Sequence, residues 1–147
     1  MTRFGAEAGQ PIPGDLRIAW RLAVLVLAVN KCHSARASWN QIHLLSWALL
    51  MHMDADELAR RLSGHRALAD RPIGIDPGVN AAIDLAYGYG LLARNGETIL
   101  LTDAGRRLLH NIQSWNVLEA ERTVLETIPG KITRGAADSA LRPRAFS

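Results

Sequence analysis

The sequence predicts a mainly α-helical domain in which a tight β-hairpin follows a series of helices. Helix-capping signatures recur along the chain, from Ser38-Trp39-Asn40-Gln41 to Thr102-Asp103. Asn95-Gly96, the strongest short signal for a hairpin turn, separates two short strand-like segments, residues 91–94 and 98–101. This order is typical of a winged helix-turn-helix with a two-stranded wing and additional flanking helices.

Length and composition indicate a single ordinary domain. The chain has 147 residues, of which 48% are apolar and 21% charged, enough to bury about two-thirds of the unfolded surface. The one cysteine, Cys32, cannot form an internal disulfide, which fits a reducing cytosol. The longest apolar run, residues 22–29, is far short of the ~20 residues needed to span a bilayer. Residues 1–10 contain no apolar signal-peptide core. We therefore expect a cytoplasmic protein with no membrane partner.

The chain divides into a flexible N-terminal arm (residues 1–14), a winged-helix domain (15–128) and a C-terminal helix with a tail (129–147). Asp15 is expected to cap a first helix over residues 16–30, which is nearly all apolar. A helix that is apolar all round is buried on several sides. In so small a domain, this predicts that part of the helix packs against another chain. The candidate subunit interface is Trp20, Leu22, Leu25 and Val29.

Two capping signatures define the second and third helices. Ser38-Trp39-Asn40-Gln41 forms a capping box and begins a helix that extends to about His52. Asp54-Ala55-Asp56-Glu57 begins a short helix that Ser63-Gly64 ends. A polar loop over residues 65–71 and a short strand at Ile73-Gly74-Ile75 are expected to follow.

The fourth helix and the hairpin form the centre of the predicted fold. Asp76-Pro77 begins the helix, with proline at its first position, and the helix runs to Tyr87. Gly90-Leu91-Leu92 then leads into the hairpin, and Thr102 caps a helix over residues 104–112. Asn116 is expected to cap the next helix, which Pro129-Gly130 ends. A weak last helix is expected over residues 131–141.

The helix before the hairpin is poorly equipped to read bases. Residues 77–87 contain no Arg or Lys, and they include Asp84; Asn80 is the one good base-reading residue. Residues 54–114 as a whole hold seven Arg and eight Asp or Glu, whereas a phosphate-tracking surface is positive. Arg94 and Arg106-Arg107 could still touch a nucleic-acid backbone, although solvated surface positions explain them equally well. The candidate partner or DNA face comprises Asn80, Asp84, Tyr87, Arg94, Arg106 and Arg107.

The segment Ile75-Asp76-Pro77-Gly78-Val79-Asn80-Ala81-Ala82-Ile83-Asp84-Leu85-Ala86, running into Gly90-Leu91-Leu92, resembles the winged-helix middle component of bacterial ABC-three-component systems. Asp15-Leu16-Arg17-Ile18-Ala19-Trp20-Arg21-Leu22 and His43-Leu44-Leu45-Ser46-Trp47-Ala48 are similar to the first two helices of that family. The resemblance covers residues 13–128. It implies a non-catalytic accessory subunit beside an SMC-like ABC ATPase and an effector protein, in an anti-phage or anti-plasmid defence system related to the Lamassu type.

No catalytic or cofactor-binding motif is recognisable. The sequence contains no H-E-x-x-H, C-x-x-C, P-loop or G-x-S-x-G pattern. Cys32-His33 is a lone adjacent pair, and His43 and His52 are expected at the polar edges of the second helix. We therefore expect neither an enzyme nor a metal or cofactor.

Two questions stay open at this point. The alternative to an accessory subunit is a dimeric winged-helix DNA-binding transcription regulator. The apolar first helix fits a homodimer as well as a single large interface with another protein. Trp20 and Trp47 are expected in the core; core is also favoured for Trp39 and Trp115, with a role as partner anchors as the alternative.

Overall fold

The computed structural model describes residues 14–141, apart from residues 66, 68, 69, 71, 72, 74 and 75, and its side-chain environments begin at residue 17. Seven α-helices lie in this part of the chain: α1 Gly14–Lys31, α2 Trp39–Leu50, α3 Ala55–Leu62, α4 Pro77–Gly88, α5 Asp103–Ser114, α6 Glu119–Thr127 and α7 Arg134–Leu141. The three strands are β1 Arg36–Ala37, β2 Leu92–Asn95 and β3 Thr98–Leu101, and a 3₁₀ turn covers His33–Ala35. The predicted mainly helical class is confirmed.

Side-chain caps begin α2, α3, α4 and α5, as the sequence predicts. Helix α1 begins at Gly14, so Asp15 lies within the helix and not at its expected cap position. Ser38 and Gln41 form both bonds of the capping box, with distances of 3.2 Å to Ser38 Oγ and 2.7 Å to Gln41 Oε1. The Asp54 carboxylate accepts from the backbone N–H of Glu57, and Thr102 Oγ1 accepts from that of Gly105. Each cap satisfies a backbone donor that has no partner within the helix.

The sheet has one strand more than the two-stranded hairpin that the sequence predicts. β2 and β3 form the expected hairpin, in which Asn95 pairs with Thr98 and the turn residue Gly96 has φ +63°. β1 also pairs antiparallel with β3, so the strand order is β1-β3-β2. A two-residue strand carries no detectable alternation of its own. Its pairing depends on where the tertiary fold places it.

Helix α1 is the centre of the core. Every residue from 22 to 29 is buried, and α1 packs against α2, α4 and α5 as well as β3. The expectation that this helix packs against another chain is therefore wrong for Leu22, Leu25 and Val29, because the chain's own helices cover them. Trp20 is half-buried and packs against the same core. Helix α1 is apolar on all sides because its own chain buries it.

The region after α5 also differs from expectation. Asn116 does not cap the next helix; α6 begins at Glu119, after a left-handed Leu118 with φ 57°. The Asn116 side chain instead accepts a hydrogen bond of 2.6 Å from Arg122. The helix starts later than expected because Val117 and Leu118 are buried, and the chain makes an extra turn to place them in the core.

The C-terminal helix packs against the rest of the domain. Thr133 Oγ1 accepts from the backbone N–H of Ala136 at the start of α7, and Ala137 and Ala140 are buried against Leu44 of α2. Residues 1–13 of the expected arm, residues 142–147, and Gly74-Ile75 of the expected short strand lie outside the described residues. Gly14, the last residue of the expected arm, is instead the first residue of α1. Ile73 lies outside any strand. Within the described part of the chain, no helix has the length and apolar character needed to cross a membrane.

Candidate functional site

Asn80, the expected base-reading residue, is turned into the protein. Its side-chain Oδ1 lies 2.8 Å from Nε2 of His43, a buried residue of α2. Asn80 stays partly exposed, but its amide oxygen is engaged by His43. The expectation that His43 lies at a polar edge is wrong, because His43 is buried. This contact joins α2 to α4 and engages the amide oxygen of Asn80, an atom that base-reading asparagines use.

Burial lowers the pKa of His43, because a charged imidazole is poorly solvated there. The hydrogen bond to Asn80 and the nearby charge of Asp76 oppose this effect only in part. His43 Nδ1 is buried with no hydrogen-bond partner among the described residues. A proton on that nitrogen would leave a buried donor without an acceptor.

We expect the protein to lose stability as the pH falls below about 6.5, the ordinary pKa of histidine. The unfolded chain then takes up a proton at His43 that the folded chain takes up only at lower pH, so protons favour unfolding. Urea denaturation between neutral and mildly acidic pH measures the effect. His43→Gln should flatten the pH profile, because it removes the group whose pKa burial lowers in the folded chain. Parallel profiles for wild type and His43→Gln would contradict this assignment.

The outer face of α4 carries no cation. Its exposed residues are Pro77, Ala81, Asp84, Leu85 and Gly88. A helix that reads DNA presents hydrogen-bonding and cationic side chains to the base edges and phosphates. The surface observed here is apolar with a single acid, so it lacks the chemistry of base reading.

A cleft of about 550 Å³ lies between the first turn of α2, α4, the hairpin and α7; we call it the aromatic cleft. Its lining residues are Ser38, Trp39, Asn40, Ile83, Asp84, Tyr87, Arg94, Glu97, Ile99, Arg134 and Asp138. Three of the residues expected on the functional face, namely Asp84, Tyr87 and Arg94, are therefore brought together here. Trp39 faces this cleft with 42% of its surface exposed, so the expectation that it is a core residue is wrong.

Polar side chains of the aromatic cleft are held by defined partners. Asn40 donates to Asp138 at 2.9 Å, and Arg94 Nε donates to the backbone carbonyl of Gly96 at 2.8 Å. Arg134 donates to Thr98 Oγ1 at 3.1 Å. Three carboxylates and two guanidinium groups line the cleft. The surface is therefore ordered, mixed in charge and slightly acidic.

Arg106 and Arg107 lie apart from this cleft. Both are exposed on α5, and Arg106 is 3.2 Å from Asp103 in an ion pair within that helix. Solvent-exposed pairs of this kind contribute ~0–1 kcal/mol to stability. Trp115, at the end of α5, is 54% exposed, so the core expectation is wrong for it too.

Local sequence patterns do not predict that α7 and β1 contribute to the clefts. Arg134 and Asp138 belong to the aromatic cleft only because α7 packs against α2, which no local pattern signals. Arg36 lines a different cleft, together with Arg134. No motif surrounds either residue, so only the assembled fold identifies them.

Within the described residues, neither a metal centre nor an activated thiol is apparent. Among the described residues, no three His, Cys, Asp or Glu side chains are grouped so that they could hold a metal ion. Burial raises the pKa of the Cys32 thiol to about 12, and its Sγ lies 3.4 Å from the backbone carbonyl of Ala28. A thiol with so high a pKa is a poor nucleophile at neutral pH.

No protein-family model, curated protein or solved structure matches this chain.

Proposed function

We propose that the chain is a winged helix that acts as a protein-interaction module. The order of elements supports the fold: a hairpin follows α4, and a strand between α1 and α2 pairs with the second strand of that hairpin. In such a fold α4 takes the position of the recognition helix and the β2–β3 hairpin that of the wing. The helices α5, α6 and α7 are additions to this unit.

The outer face of α4 is the observation that carries the function. This face lacks cations, and Asn80 is bonded to His43 instead of being available to a base. We infer that α4 and the aromatic cleft beside it bind protein and do not read DNA sequence. Trp39 and Tyr87 supply aromatic surface of the kind that anchors protein interfaces.

The partner proposed here follows from the resemblance to middle components of ABC-three-component systems. The chain would be a non-catalytic cytoplasmic subunit that bridges an SMC-like ABC ATPase and an effector in an anti-phage or anti-plasmid defence complex. Affinity purification at native expression, after nuclease treatment, tests this proposal. A coiled-coil ABC ATPase recovered in near-stoichiometric amount is the expected result.

Recovery of the protein alone, combined with tight binding to one duplex sequence from a genomic library, would favour the dimeric transcription regulator instead. That regulator would require base contacts outside α4, since the exposed residues of this helix offer none of the usual base-reading side chains.

We expect Trp39→Ala to weaken capture of the ATPase at least about tenfold, the range of an interface hot spot. The indole is exposed in the aromatic cleft, where truncation removes contact area. Quantitative mass spectrometry of the purified complex measures the change. Trp115→Ala is the matched control, because that indole is also exposed but lies outside the cleft. Equal losses for the two variants would contradict the assignment of the cleft.

A further inference from the structure

Arg134 also lines a second cleft, of about 600 Å³, which we call the polar cleft. It is bounded by the 3₁₀ turn, β1, the start of β3 and the start of α7. Its polar lining consists of His33, Ser34, Arg36, Thr98, Thr133 and Arg134, together with Gln41. Ala37 is the only apolar residue among those described in the lining, and no carboxylate is among them.

Arg36 is the residue in this cleft most available to a ligand. It is exposed, and its guanidinium group has no hydrogen bond or ion pair with the rest of the described chain. Arg134, on the facing helix, uses one of its donors on Thr98 Oγ1, and its remaining N–H groups stay available. Two guanidinium groups therefore border the same cleft with unused donors.

Much of the surface that lines this cleft comes from the aliphatic parts of its side chains, but its polar groups are suited to phosphate oxygens. Guanidinium forks and hydroxyl groups are the usual side-chain donors to phosphates, and a cleft without lining carboxylates imposes little local repulsion on an anion. The aromatic cleft differs sharply, because Asp84, Glu97 and Asp138 outnumber its two arginines. The two clefts share Arg134 but favour ligands of different charge.

We propose that the polar cleft binds the phosphodiester backbone of duplex nucleic acid, without preference for sequence. Its donors are exposed and do not enclose a small anion, which suits a chain of phosphates better than a free phosphate ion. Single-stranded nucleic acid is bound largely by stacking on aromatic rings. Apart from the imidazole of His33, no aromatic ring is among the described residues that line the cleft. The site lies at Arg36 and Arg134. None of Arg94, Arg106 and Arg107, the arginines that the sequence offers as possible backbone contacts, is among its lining residues.

The test compares two double variants that remove the same charge. The double variant Arg36→Ala, Arg134→Ala removes both arginines from the lining of the polar cleft. The double variant Arg106→Ala, Arg107→Ala removes two exposed arginines from α5. Binding of the full chain to a short fluorescent duplex of scrambled sequence is followed by anisotropy over a range of salt concentrations. We expect the first variant to bind about tenfold more weakly at low salt, and its slope of log affinity against log salt to be shallower by about two. The second variant should match wild type.

Three results would overturn the proposal: equal losses in both variants, loss in the α5 variant alone, or no binding of duplex by wild type at low salt. Inorganic pyrophosphate is tested as a second ligand. If the chain binds pyrophosphate but does not bind the duplex, the cleft is a small-anion site and the proposal is overturned. Arg36→Gln alone keeps the test informative if the double variant fails to fold, since Arg36 is exposed and lines only the polar cleft. Capture of the ATPase by this single variant should be unaffected, which separates the proposal from the proposed function.

Discussion

We expect Gly105→Ala to destabilise the protein by roughly 3 kcal/mol, at the upper end of the costs of overpacking a core. A Cβ at Gly105 would meet the backbone carbonyl oxygen of Leu91 and the side chain of Leu101 well inside contact distance. The Leu91 carbonyl oxygen cannot shift easily, because it accepts hydrogen bonds from both the backbone N–H and the hydroxyl group of Thr102. Thermal unfolding should show a midpoint lower by roughly 10 °C.

Gly135→Ala is the matched control for this substitution. Gly135 is also helical, and nothing lies within 4 Å of the Cβ that alanine would add. Its replacement should raise stability by about 0.4–1 kcal/mol, because alanine restricts the unfolded chain. A Gly105→Ala variant as stable as the Gly135→Ala variant would show that the hairpin moves freely relative to α5. That outcome would contradict the packing described here.

Local capping chemistry made much of the fold predictable. Ser38, Asp54, Asp76 and Thr102 cap the helices at the positions expected from sequence. These signals depend on contacts two or three residues away, so they are encoded in short segments. Gly105 differs from these caps, because the need for a residue without a side chain there comes from its tertiary contact with the backbone carbonyl of Leu91.

Contacts between distant segments could not be predicted in this way. A helix that is apolar on all sides, such as α1, can be buried by its own chain or by another chain. Only the packing of α2, α4 and α5 against α1 shows that its own chain buries it. Asn80 illustrates the same limit, because a polar residue on a helix can face solvent or a buried partner such as His43. The clefts required residues separated by about a hundred positions, Arg36 and Arg134 among them.

If both proposals hold, the two clefts allow one small domain to bind two kinds of partner. The aromatic cleft offers apolar rings with an acidic balance, and the polar cleft offers unused cationic donors. Binding of protein at one cleft therefore need not block nucleic acid at the other, except through the shared Arg134. If the polar cleft binds duplex as proposed, the isolated chain should bind it weakly at physiological ionic strength, because affinity that depends on phosphate contacts falls steeply with salt. Assembly with a larger partner that also contacts DNA would strengthen the interaction through effective concentration.

Leu25→Ala should lower the free energy of unfolding by about 2–5 kcal/mol, the range for truncating a buried leucine. Leu25 is 2% exposed at the centre of α1, where the cavity left by alanine is enclosed by the surrounding core. Ile18→Ala on the same helix is the control: Ile18 is 45% exposed, and its loss should cost less than about 0.5 kcal/mol.

Urea denaturation, together with light scattering over a range of protein concentrations, distinguishes a core role from an interface role. If Leu25 formed a subunit interface, its truncation would dissociate oligomers and leave the stability of the monomer nearly intact. The burial of residues 22–29 within one chain predicts the opposite: a large loss of stability that does not depend on protein concentration.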